Sequence, residues 1–159
     1  MDDLKSVLQK FKGVPERLEK TLSMALRMSA DEAAGEAKER HDYTDRSSNL
    51  TNSIGYDGPT GSFRINGLEA TVSAGAGYAV FVELGTRAHV IRPKYRKALR
   101  FPAAGGFVFA RKVNHPGTRA RYFIRNAVQA TLPRLVSNHI PDAIELAFVQ
   151  AGFTRGGGL

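Results

Sequence analysis

Apolar residues change their spacing several times along this chain, and each change predicts a change of element. Leu4, Leu8 and Phe11 fall on one face at helical spacing, which predicts a short amphipathic helix over residues 2–12. Gly13 ends it, and Pro15 suits the first turn of a second helix running to about Arg40. Leu18, Leu22, Leu26 and Ala33 make the stripe of that helix, with Ala25 and Ala37 beside it. The stripe is thin, and its C-terminal half is built of small residues. Two surfaces fit it: the protein's own sheet or a neighbouring subunit.

Between His41 and Asn49 the chain turns polar and reads as a loop. From Leu50 to Ala74 the signals become β. Leu50, Ile54, Phe63, Ile65, Leu68, Ala70 and Val72 alternate loosely with polar residues, broken by Asp57-Gly58-Pro59, Gly61 and Asn66-Gly67. The pair Asn66-Gly67 is a two-residue hairpin signal. Tyr78–Leu84 is too short for periodicity to separate a helical turn from a strand. Residues 88–92, 98–101 and 106–113 read as three more strands, with a turn at Gly105-Gly106. A helix follows from Arg119 to about Ala130, with Phe123, Ile124, Ala127 and Val128 on its apolar side. Pro133 and Pro141 are expected to limit its continuation. Ile144–Gln150 reads as a last helical segment that Gly152 stops.

These elements predict an α+β fold with N-terminal helices, a central antiparallel or mixed β-sheet, and C-terminal helices packed on it. The expected organisation is a single domain over residues 1–151 and a flexible tail over 152–159. Within the domain, 1–42 form a helical arm, 50–113 a β-rich core and 119–151 a helical part. Val82, Ile91, Leu99, Phe101, Val108 and Val113 are expected in the core.

Charge changes the picture more than composition does. The 159 residues carry a net charge of +8. Residues 1–83 hold 10 Lys/Arg against 13 Asp/Glu, whereas residues 84–141 hold 12 Lys/Arg and no acid. One acid-free block of 58 residues therefore supplies the basic character, and it favours a polyanion or an acidic protein surface as partner. The chain has no cysteine, which excludes disulfides, thiol catalysis and Cys-based zinc sites and fits assembly in a reducing cytoplasm. No apolar run approaches the roughly 18 residues that a membrane span needs. The charges mixed through the first residues read against a signal peptide.

Candidate chemistry is thin. The histidines His41, His89, His115 and His139 show no metal-binding spacing, and neither a metal nor a cofactor is expected. No Ser lies in a GxSxG elbow, and the glycines Gly75 and Gly77 are not followed by a phosphate-loop pattern. Glu83 with His89 or His115 is a conceivable acid/base pair; pairing of Glu83 with Arg87 or Arg92 explains it more simply. No enzymatic activity is therefore expected. The run from Arg87 to Arg100 contains six cations: Arg87, Arg92, Lys94, Arg96, Lys97 and Arg100. Pro93 interrupts strand pairing, so Pro93–Lys97 should project as a loop, able to meet phosphates without reading bases.

Several short motifs resemble one family of tailed phages, the head–tail joining or tail-completion (neck) proteins of lambdoid siphophage type. The matching residues are Tyr78, Ala79, Val82, Glu83, Gly85 and Thr86; His89, Ile91 and Pro93; Ala98, Leu99 and Phe101; Val113, His115, Pro116, Gly117 and Thr118; then Phe123 and Ala127. Leu50–Ile54 resembles a further element of the family, with Asp45 and spacer residues where a Gly is usual. The resemblance covers about residues 4–130. It implies a structural virion protein of the neck that is assembled in the host cytoplasm. It implies a homo-oligomeric ring of six or twelve subunits around the DNA channel. Neighbours would be adaptor, stopper or portal proteins on one side and tail-tube or terminator proteins on the other. Glu83, Gly85, Thr86 and His115–Thr118 would shape turns. The six cations would touch packaged DNA or an acidic ring. A free, non-specific nucleic-acid-binding protein is the alternative reading.

Overall fold

A computed structural model describes residues 3–55 and 68–154. The chain forms two compact units, one made of Met1–Ala79 and Phe123–Leu159, the other of Val80–Tyr122. The class is α+β, as the pattern predicts.

The first unit is helical. Helix α1 (Leu4–Lys12) ends at Gly13, and α2 (Val14–Glu39) starts at once, with Pro15 in its first turn where a missing N–H is harmless. A short helix α3 (Asn49–Ser53) leads into strand β1 (Ile54–Gly55), which pairs antiparallel with β2 (Ser73–Ala74). Helix α5 (Phe123–Arg134) passes into a π-helical turn (Leu135–His139), and α6 (Ile140–Gln150) follows without a break.

Small residues make the seam of this unit. On α2 the buried side chains are Thr21, Ala25, Ser29, Ala30, Ala33, Ala34 and Ala37, with Val14 at its start. Leu18, Leu22 and Leu26, the expected stripe, flank that line half-buried. Helices α5 and α6 both pack on α2. Helix separation follows the side chains at the contact, and alanine permits a close one. The partner stripe keeps a four-residue spacing across both helices: Phe123, Ala127, Thr131 and Leu135, then Ala143, Ala147 and Ala151, all buried.

A four-residue step overshoots one α-helical turn by about 40°. Repeated from Phe123 to Ala151, it would wind the stripe off the seam. The wider π turn at Leu135–His139 takes up part of that excess, and α5, the turn and α6 all keep contact with α2. Pro133 and Pro141 were expected to limit the helix, but they bracket this turn. There the change in hydrogen-bond spacing already leaves backbone groups unmatched, and Ser137 Oγ donates to the Pro133 carbonyl at 2.8 Å. Glu32 ties the turn to α2, pairing with Arg134 and His139 Nε2 at 3.3 Å each.

The end of α6 closes on α1. Gly152 (φ 90°) lets its own N–H reach the Val149 carbonyl and the Phe153 N–H reach that of Phe148. Phe153 then packs at a tilt against Phe11 and edge-to-face against Phe148, with ring centroids 4.8 and 5.6 Å away.

Two local expectations change. Leu50 belongs to a helix, not a strand. Asp45 is the cause: its carboxylate accepts from the Thr51 N–H at 2.8 Å and the Thr51 hydroxyl at 2.9 Å, so it caps α3 from outside. Leu68, Ala70 and Val72 lie in irregular chain. Phe63, Ile65, Asp57-Gly58-Pro59, Gly61, the Asn66-Gly67 hairpin and tail residues 155–159 lie outside the described residues. In place of one sheet under helices, the described strands form separate two-stranded ladders, and the C-terminal helices pack on α2.

Two outcomes test this account. Ala147 is fully buried in the seam, so Ala147→Leu should lower stability by about 1–3 kcal/mol through overpacking. Urea denaturation measures this, with exposed Met24→Leu near neutral as control. Hydrogen bonds from Thr51 hold the Asp45 carboxyl below its ordinary range. A depressed carboxylate stabilises the fold above the unfolded-state pKa, about 3.9, and that contribution is lost as pH falls through the lower folded value. Amide protection of Asn49–Ser53 should therefore persist through pH 4 and fail below it, whereas Asp45→Asn should remove the dependence.

Candidate functional site: a clasped basic arm

The second unit is built without a core. Helix α4 (Ala79–Leu84) leads into it. Strand β3 (His89–Ile91) pairs with β6 (Val113–His115), and β4 (Leu99–Ala103) pairs with β5 (Gly106–Ala110) around the Gly105-Gly106 turn. None of residues 80–122 is buried. Val82, Ile91, Leu99 and Val113, expected in the core, are only half-buried, and Phe101 and Val108 are exposed. The reason is geometric: a two-stranded ladder has no second layer to cover either face.

Backbone pairing holds the base of this arm. The Thr86 N–H donates to the Thr118 carbonyl at 3.0 Å, and the Thr118 N–H returns a bond to the Thr86 carbonyl at 3.1 Å. Their hydroxyls lie 3.1 Å apart. The Arg121 and Tyr122 N–H groups donate to the carbonyls of Val82 and Glu83, both at 3.0 Å. Gly85 (φ 71°) and Gly117 (φ 90°) stand beside the two threonines. A methyl on Gly85 would meet the Thr118 carbonyl at 2.5 Å, and one on Gly117 would press on the Thr86 carbonyl. Two Gly-Thr pairs from distant parts of the chain thus form one clasp, which needs glycine for both conformation and space.

The histidines brace the next turn up. His89 and His115 are register partners, with ring centroids 4.9 Å apart. His115 Nδ1 accepts from the Gly117 N–H at 3.0 Å, folding the turn through Pro116. His89 Nδ1 donates to the Arg87 carbonyl at 2.8 Å. So Glu83, Gly85, Thr86, His115, Gly117 and Thr118 meet at the base of the arm, with Pro116 in the turn. Among the described residues no three His, Asp or Glu converge as metal ligands, and no helix is long and apolar enough to cross a membrane.

Above the base, Arg87, Arg92, Lys94, Arg96, Lys97 and Arg100 are all exposed. The loop from Arg92 to Ala98 joins β3 to β4, and Tyr95 at its centre is 83% exposed. The β4–β5 ribbon carries an apolar surface on each side. One face holds Leu99, Phe101, Val108 and Ala110; the other holds Pro102, Phe107 and Phe109, with the Arg100 guanidinium 3.4 Å from the Phe107 ring centroid. A visible signal was the run Phe107-Val108-Phe109, apolar at both parities.

The sequence profile of one family, HK97-gp10-like, described as "Bacteriophage HK97-gp10, putative tail-component", matches residues 2–85. That span includes Tyr78, Ala79, Val82, Glu83 and Gly85, and stops before His115–Thr118. No curated protein and no solved structure matches the chain.

Gly85→Ala and Gly117→Ala should each destabilise the clasp by about 1–3 kcal/mol. Amide exchange at Thr86 and Thr118 should accelerate while exchange within α2 stays unchanged.

Proposed function

The chain belongs to the HK97-gp10-like family of phage tail components, and from that premise we propose that it is a structural part of the neck, joining head to tail as a homo-oligomeric ring around the DNA channel. The exposed six-cation segment Arg87–Arg100 carries this reading beyond the family. Cations on a projecting loop, with no acid between them, suit the phosphate backbone in a channel or the acidic rim of an adjoining ring. The role is assembly rather than catalysis: the chain would bind a preformed ring of the portal side or the tail-tube side and continue the channel. Absence of cysteine, of a GxSxG serine and of metal-ligand spacing supports a non-enzymatic part.

The same exposed cations favour a second reading, a free protein that binds nucleic acid without sequence preference. The two part in a direct measurement. Cryo-EM and mass spectrometry of purified particles should place the chain at the neck, with the arm toward the lumen or a neighbouring ring. Changing Lys94, Arg96 and Lys97 to Ser should cut the yield of joined particles while isolated heads and tails accumulate. Particles lacking the chain, together with duplex binding by the free protein that weakens steeply with salt, would instead establish the second reading.

A further inference from the structure

The second unit leaves unanswered what covers a ribbon that is apolar on both faces. Phe107 is 54% exposed and Phe109 67%. An isolated two-stranded hairpin is marginal in water, and contiguous apolar surface of this kind marks an interaction site. Its surroundings specify the sign of the partner. Residues 80–122 carry ten Lys/Arg and one acid, Glu83. The occupant must therefore present apolar surface together with carboxylates.

The first unit has such a surface. A groove of about 810 Å³ runs along the outer side of α6, lined by Asp142, Glu145, Leu146, Val149 and Phe153. Leu146 and Val149 are exposed, and so is Asp142. The lining is mainly apolar with acid along one end, and Lys10 lies toward Phe153, 6.0 Å from its ring centroid.

We propose that the β4–β5 hairpin of one copy docks in the α6 groove of a second copy. Phe107 and Phe109 would enter beside Leu146 and Val149, and Arg100, stacked on Phe107, would face Asp142 and Glu145. This contact joins two different surfaces, so it is head-to-tail, and repetition gives a ring when the rotation closes. The proposal rests on the ring reading above and names the surfaces that would close it.

The absence of cysteine gives a clean background for a test with full-length chains. Two differently tagged variants, Phe107→Cys and Val149→Cys, are mixed and oxidised. A mixed disulfide between the tags is expected, in excess over either homodisulfide. Adding Asp142→Lys to the Val149→Cys chain should lower its yield about tenfold or more, and Arg100→Glu in the partner should restore much of it. Asp142 is exposed, so that chain should fold; an unchanged melting curve verifies it. Three outcomes of the mixing experiment overturn the proposal: no mixed disulfide, a Phe107–Phe107 product in its place, or mixed product formed only after duplex DNA is added. A Phe107→Cys/Val149→Cys double variant that closes only within one chain also overturns it. Incorporation into particles is scored separately. Neck density without this cross-link removes the docking and leaves the neck role standing; the cross-link without neck density does the reverse.

Discussion

Along one side of α2, Ala25, Ala33 and Ala37 each contribute only a methyl to the seam with the two helices that pack on it. Close packing of this kind gains dispersion contacts but tolerates no added volume. Other features of the unit follow from keeping α5 and α6 on that line. The π turn offsets part of the drift of a four-residue stripe. Pro133 and Pro141 sit where the hydrogen-bond ladder is already irregular. The Glu32 pairs with Arg134 and His139 hold the turn in place, and Phe153 folds back onto Phe11 once Gly152 has ended α6.

The second unit depends on a different interaction. With no buried side chain, it is held by backbone ladders and by the Gly85-Thr86 and Gly117-Thr118 clasp. Hydrogen bonds exposed to water contribute little net stability each, so a unit held this way opens more easily than a packed core. Cations and exposed aromatic residues share this unit because residues 80–122 form no core that would separate them.

Much of this was legible in the residues. Helical spacing marked α1 and α2, Gly13 and Gly152 marked helix ends, and Gly105-Gly106 marked the β4–β5 turn. The acid-free block identified the charged surface, and the segment from Tyr78 to Gly85 falls within the family match. Less visible was the continuous helix after Phe123. Proline was read for what it does inside an α-helix, whereas here it flanks a π turn. The four-residue recurrence of Phe123, Ala127, Thr131, Leu135, Ala143, Ala147 and Ala151 was the available signal.

The sequence by itself determined the class of the fold, the family and the position of the charge, because these depend on local spacing and composition. Tertiary structure decided which apolar residues are buried. Leu18 and Leu22 are larger than Ala33, yet the alanine lies at the seam, because burial follows the approach of another helix and not hydrophobicity alone. Likewise Phe101 and Val108 read as core and lie exposed, because no second layer of their own unit reaches them. The two Gly-Thr pairs, 32 residues apart, became one clasp only when the chain returned to close its own base.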